Sequence, residues 1–138
     1  MKLGSNEWSN LIVQSAQKLG VHLDSYQTHL LVTYAKELIH WNKRINLTSV
    51  TDPVEVAVKH FADSLSPARL IPPDSTLLDI GSGGGFPGIP LKVAIPSLAV
   101  TLIDSSRKKV SFLKHVIRML KLTGIEARHI RAENLAND

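Results

Sequence analysis

The sequence predicts an α/β chain, with an N-terminal helical region over 1–72 that leads into the first half of a doubly wound parallel sheet over 73–138. Three observations predict it. Apolar residues recur at helical spacing as far as Leu65, and beyond it they fall into short runs separated by amphipathic stretches. Three prolines, Pro67, Pro72 and Pro73, stand at the change of pattern. Past them the residues read as strand, helix, strand, helix, strand, the alternation that builds a parallel sheet from crossover units.

The first helix opens at Ser5 as N-cap, carries Trp8, Leu11, Ile12 and Leu19 at helical spacing, and stops at Gly20. The second opens on Asp24 and Ser25 and carries Leu30, Leu31, Tyr34, Leu38 and Trp41 on one side. The third starts at Asp52, with Pro53 in the first helical position, where its missing N–H costs nothing. Val56, Ala57, His60, Phe61 and Leu65 follow on it. In the second region STLLDIG is a short buried strand, and PGIPLKVAIP is a short helix that tolerates Pro90 only in its first turn. SLAVTLID is a second strand. SSRKKVSFLKHVIRMLKLTG is an amphipathic helix expected to close at Gly124, and IEARHI begins a third strand.

At 138 residues the chain has room for one domain, or a small one and part of another. It has no cysteine, which excludes disulfides, zinc–thiolate sites and thiol catalysis and points to a reducing cytoplasm. No basic segment leads into an apolar one at the start, so no signal peptide is expected. No apolar run approaches the roughly 20 residues that span a bilayer, and no membrane partner or metal site is expected. The net charge of +4 is uneven: residues 1–75 hold seven Lys/Arg and seven Asp/Glu, whereas 76–138 hold nine and five. A basic second half suits a polyanionic partner.

The stretch LLDIGSGGGFPGIPL carries the chemistry. A glycine loop at the carboxyl end of the first strand sits in the ligand crevice of such a sheet, and glycine leaves no Cβ between backbone and ligand. The dinucleotide fingerprint G-x-G-x-x-G fits only as Gly83, Gly85 and Gly88, which begins too far past the strand; in the natural register from Gly81 its third position is Phe86. No phosphate-binding G-K-[ST] follows. Asp79, Gly81, Gly83 and Gly85 instead fill acidic-x-Gly-x-Gly-x-Gly without a gap, the pattern of S-adenosylmethionine loops. A dinucleotide brings a pyrophosphate, which wants a helix N-terminus and no nearby anion. S-adenosylmethionine brings a sulfonium and an ammonium, which a strand-end carboxylate such as Asp79 suits. Asp104 ends the second strand, where an acid accepts hydrogen bonds from ribose hydroxyls of either ligand class. Glu133 and Asn134 are placed near an adenine ring.

With GSGGGFPGIPL, TLIDSSRKKVSFL and RAEN in place, preceded by RINLT and HFADSL, the sequence resembles the RsmG (GidB) family over about Trp41 to Glu133. Members of that family are S-adenosylmethionine-dependent methyltransferases of guanine N7 in small-subunit ribosomal RNA, with a Rossmann-like methyltransferase sheet. The resemblance implies that Asp79, Gly81, Gly83 and Phe86 line the methionine end of the cofactor site, that Asp104 binds ribose, and that Ala132 and Glu133 lie by the adenine. It implies that NLT and HFADS, with Asn46, Thr48, His60 and Asp63, face the same crevice. Family members are longer. The expectation is therefore a truncated chain, or a short form that covers the unpaired edge of STLLDI by self-association.

Guanine N7 carries a free lone pair, so its methylation needs no proton removal and no catalytic base is assigned. The partner implied is small-subunit ribosomal RNA or a ribosomal particle. On a helical wheel Arg107, Lys114, Arg118 and Lys121 form one stripe within about 60°, opposite Val110, Leu113, Val116, Ile117 and Leu120, and they are the candidate RNA contacts. Lys109 falls toward the apolar side. Two other readings stand beside this one: a nucleoside-binding module without activity, and a fragment of a nicotinamide-dependent oxidoreductase, which the loop register disfavours.

Overall fold

A computed structural model of the chain describes residues 1–131 and 133–134, and Ala132 lies outside them. Helix α1 (Asn6–Lys18) starts where Ser5 Oγ accepts the Trp8 N–H at 3.2 Å. It stops where Gly20 takes φ +77°, Gly20 N–H bonds to Gln17 O and Val21 N–H bonds to Ala16 O. Helix α2 (Ser25–Asn42) begins with a reciprocal cap, in which Asp24 accepts the Gln27 N–H and Gln27 accepts the Asp24 N–H.

The third helix is less regular than the sequence predicts. It runs as α3 (Pro53–Glu55), a π-helix over Val56–Ala62, and α4 (Asp63–Leu65). The wider π turn brings residues five apart to one side, and that is the spacing of Val56 and Phe61, both fully buried. Phe61 meets Trp8 and Tyr34 edge-to-face at 5.7 and 5.5 Å, and Trp8 Nε1 donates to Pro53 O at 2.9 Å.

Strands β1 (Thr76–Ile80), β2 (Ala99–Asp104) and β3 (Ile125–His129) form one parallel sheet in the order β1-β2-β3. Helices α5 (Gly88–Ala94) and α6 (Arg107–Met119) connect them. Leu77, Val100, Leu102 and Ala127 join the core cluster that also holds Leu31, Tyr34 and Leu38 of α2, so a single core runs through both regions of the chain. On the opposite face of β1, Leu78 and Ile80 are each 53% exposed. Among the described residues β1 pairs only with β2 and has one open edge.

Helix α6 does not close at Gly124. Lys121 takes the left-handed position at φ +52°, with Lys121 N–H on Arg118 O and Leu122 N–H on Ile117 O. The chain reverses there because Leu122 and Ile117 both pack against the core, the apolar contact that accompanies this motif. Gly124 serves β3 instead: its carbonyl accepts the Val100 N–H at 2.9 Å.

Candidate functional site

The glycine loop leaves β1 under tight backbone control. Gly81 and Ser82 both donate their N–H to Ile103 O, at 2.8 and 3.1 Å, so the loop is tied to the end of β2 from its first residue. Gly85 N–H then returns to Ser82 O at 2.8 Å, and Ser82 Oγ donates to Asp79 O at 2.8 Å. Gly81, Gly83 and Gly85 take φ +73°, +55° and +100°. These are conformations that glycine adopts without the Cβ penalty.

The glycines divide into two groups by what lies beside them. A Cβ on Gly81 would meet nothing within 4 Å, and one on Gly83 only the Gly81 carbonyl at 4.0 Å. These two face open space. A Cβ on Gly84 would press on Leu38 Cδ1 at 3.2 Å, and one on Gly85 on Tyr34 Oη and Ile89 Cδ1 at 2.7 Å. A Cβ on Gly88 would press on Leu102 and on Asp79 Oδ2, the latter at 2.9 Å. The second group is glycine because the protein itself comes close.

The open side of the loop belongs to a crevice of about 510 Å³ at the carboxyl ends of the strands. Its walls are Ile80, Ile103 and Ile130, and its polar groups come from Gly81, Asp104, Ser105, Arg131 and Glu133. The structure thus brings together Gly81, Asp104 and Glu133 from the sequence-based set, with Gly83 beside them. Asp104 is buried and anchors the floor: Oδ2 accepts the Gly83 N–H at 2.9 Å and Oδ1 the Ser106 N–H at 2.8 Å. Each carboxylate oxygen has a second lone pair free to receive a hydroxyl. His129, at the end of β3, bonds through Nε2 to Ser105 O at 2.8 Å and holds that carbonyl in place. A groove of similar volume, about 540 Å³, lies between α1 and α2, but no strand end reaches it.

Asp79 and Phe86 are placed elsewhere. The Asp79 carboxylate lies beneath the start of α5, where Oδ2 accepts the Gly88 N–H at 3.0 Å. Burial holds its pKa above the usual carboxylate range; the Gly88 and Ser82 hydrogen bonds oppose that shift and the Asp104 charge adds to it. The remaining N–H groups of the first turn of α5 are also taken. Ile89 N–H bonds to Gly85 O and Leu91 N–H to Pro87 O, and Pro90 has none. Phe86 points toward the N-terminal helices. It stacks on His60 at 4.3 Å between centroids and 11° between planes, and on Tyr34 at 5.4 Å and 30°.

His60 in turn bonds through Nε2 to Thr48 Oγ1 at 2.7 Å. Burial lowers the His60 pKa from its ordinary value, with the Asp63 charge opposing. Asn42 Oδ1 accepts the N–H groups of Leu47 and Thr48, both at 2.9 Å, and shapes the turn that delivers Thr48. The NLT and HFADS segments therefore reach the glycine loop through Thr48, His60 and Phe86. Asn46 and Asp63 are exposed and do not join that chain of contacts. Arg107, Lys114, Arg118 and Lys121 are all exposed on α6 or just past its end, and Lys109 is half-buried.

The residues that sequence reasoning missed are Ser105, His129, Arg131 and the three isoleucines of the crevice, together with Tyr34. The isoleucines look like ordinary strand residues. Tyr34 looks like a core residue of α2, and its reach to the loop is a contact fifty positions away.

Comparison with known proteins supplies the family. The family model described as rRNA small subunit methyltransferase G matches residues 27–138. A protein named ribosomal RNA small subunit methyltransferase G from Geotalea uraniireducens (strain Rf4) is 50% identical over 91% of this chain and 58% of its own length. The protein of the same name from Geobacter sp. (strain M21) is 48% identical over 93% and 59%. The one from Desulfitobacterium hafniense (strain Y51) is 46% identical over 88% and 51%. The chain spans a little over half the length of these curated relatives. Its match to the family model, over most of its length, shows that the chain belongs to the rRNA small subunit methyltransferase G family.

Proposed function

We propose that this chain holds the cofactor of an S-adenosylmethionine-dependent methyltransferase whose substrate is guanine N7 of small-subunit ribosomal RNA. The observation that carries the choice of cofactor is the start of α5. Its N–H groups are used by Asp79, Gly85 and Pro87, so this helix offers no free N-terminus to a pyrophosphate. The crevice beside it carries the carboxylates of Asp104 and Glu133 together with Arg131, and Asp104 suits the ribose of any nucleoside ligand. A nicotinamide dinucleotide, which needs a free helix N-terminus for its pyrophosphate, does not fit that start.

The residues fit S-adenosylmethionine part by part. Gly81 and Gly83 leave space where a side chain would stand. Asp104 has lone pairs for ribose hydroxyls, Ile103 and Ile130 offer apolar surface to adenine, and Glu133 lies at the same end. Bound there, the cofactor supplies an activated methyl group. The chain's own residues orient the ligand and shape the field around it. N7 attacks through an existing lone pair, so no general base is needed.

The exposed basic stripe of α6 is the proposed RNA-contact surface, beginning at Arg107 just after the crevice residues Asp104 and Ser105. Titration calorimetry tests the cofactor assignment. S-adenosylhomocysteine should bind and NAD should not, and Asp104→Ala should weaken the binding by about 1–3 kcal/mol, the worth of hydrogen bonds to an acid. Binding of NAD alone overturns the reading.

A further inference from the structure

The glycine loop is held from two sides. On one side Asp104 fixes the Gly83 N–H at 2.9 Å. On the other, Tyr34 Oη of α2 donates to the carbonyl oxygen of Gly84. The Gly84–Gly85 peptide is therefore gripped at both ends, its carbonyl by Tyr34 and its N–H by Ser82 O at 2.8 Å. Rotation of that peptide would turn the Gly83–Gly84 peptide beside it, which joins directly to the peptide whose Gly83 N–H meets Asp104.

Three further observations show that this contact is built rather than incidental. Tyr34 is fully buried, so its hydroxyl has no water to bond in place of Gly84. Its ring is fixed by Phe86, stacked at 5.4 Å, and by Phe61, edge-on at 5.5 Å. The approach is so close that a Cβ on Gly85 would lie 2.7 Å from Tyr34 Oη. Burial and the nearby Asp79 charge also keep the phenol protonated, so the hydroxyl is the donor.

We infer that Tyr34 is a positioning residue of the cofactor site. From the N-terminal helical region it sets the orientation of the Gly84–Gly85 peptide, and through it the shape of the loop that receives the ligand. The N-terminal helices thereby form part of the cofactor site, although their described residues do not line the crevice. This inference rests on the proposed cofactor reading, and its test separates the two.

The test compares wild type, Tyr34→Phe and Ile12→Val. Tyr34→Phe keeps the stacked ring and removes only the hydroxyl. Ile12→Val is a core truncation on α1 that serves as a control for lost stability. Two quantities are read well below the melting temperature of each protein: S-adenosylhomocysteine affinity by calorimetry, and amide hydrogen exchange at Gly83, Gly84 and Gly85 without ligand. Tyr34→Phe should bind about five- to tenfold more weakly and exchange faster in the loop, with Ile12→Val like wild type in both. Equal affinity and equal loop exchange in wild type and Tyr34→Phe overturn the inference, as does an equal loss in Ile12→Val. Wild type that binds no S-adenosylhomocysteine overturns the cofactor reading alone. In that case loop exchange decides the role of Tyr34: faster exchange in Tyr34→Phe only supports it, and unchanged exchange overturns it.

Discussion

A Cβ at Gly85 would lie 2.7 Å from both Tyr34 Oη and Ile89 Cδ1, whereas one at Gly81 would meet nothing within 4 Å. The two glycines therefore fail differently when replaced. Gly85→Ala must adopt φ +100° and also displace two buried neighbours. Overpacking of that kind costs about 1–3 kcal/mol, in addition to about 1–2 kcal/mol for the backbone. Gly81→Ala bears only the backbone cost, but its methyl group stands in the crevice. Urea unfolding should show Gly85→Ala as the less stable variant. Calorimetry should show Gly81→Ala, still folded, as weak in S-adenosylhomocysteine binding. Equal stability losses in the two variants would contradict the division of the loop. The glycine loop, and its place at the carboxyl end of β1, were legible in the sequence. That Gly85 makes room for Tyr34, and that Asp79 is used by Gly88 N–H, was not, because no local pattern reveals a contact between distant residues.

Elements whose ends are set by short-range chemistry were the most readable. Ser5, Asp24 and Asp52 cap their helices as the sequence predicts, each accepting a backbone N–H within the first turn. The two departures both come from tertiary packing. The π turn of Val56–Ala62 satisfies the burial of Val56 and Phe61 together, and Lys121 ends α6 early because Leu122 must return to the core. Neither residue type announces its role, since lysine is an unusual choice at positive φ. Helix α6 also carries the RNA proposal. Its apolar side, including Val110, Leu113 and Val116, is buried, which leaves Arg107, Lys114 and Arg118 in solvent. If this face contacts phosphates, Arg118→Ala should weaken binding to small-subunit ribosomal RNA and reduce the slope of log affinity against log salt by about 1. An unchanged slope would mark the stripe as a solvated face.

At the scale of the molecule, the helices and the sheet share one core, while the far face of β1 leaves Leu78 and Ile80 each 53% exposed beside a strand edge that is open among the described residues. Apolar surface next to an unpaired edge favours association between chains. Light scattering of the 138-residue chain should therefore show concentration-dependent assembly that Leu78→Lys reduces; a monomer at all concentrations would contradict this. The strand order was legible because the alternation of strands and helices admits few topologies. The walls of the crevice were not, because Ile80, Ile103 and Ile130 meet only once the strands are in register. The central claim, that the strand ends hold an S-adenosyl ligand, is tested most directly by following backbone amide signals during titration with S-adenosylhomocysteine. The account predicts shifts concentrated at Gly81, Gly83, Asp104, Ser105 and Ile130, with NAD producing none. Shifts confined to the groove between α1 and α2, or a response to NAD alone, would contradict it.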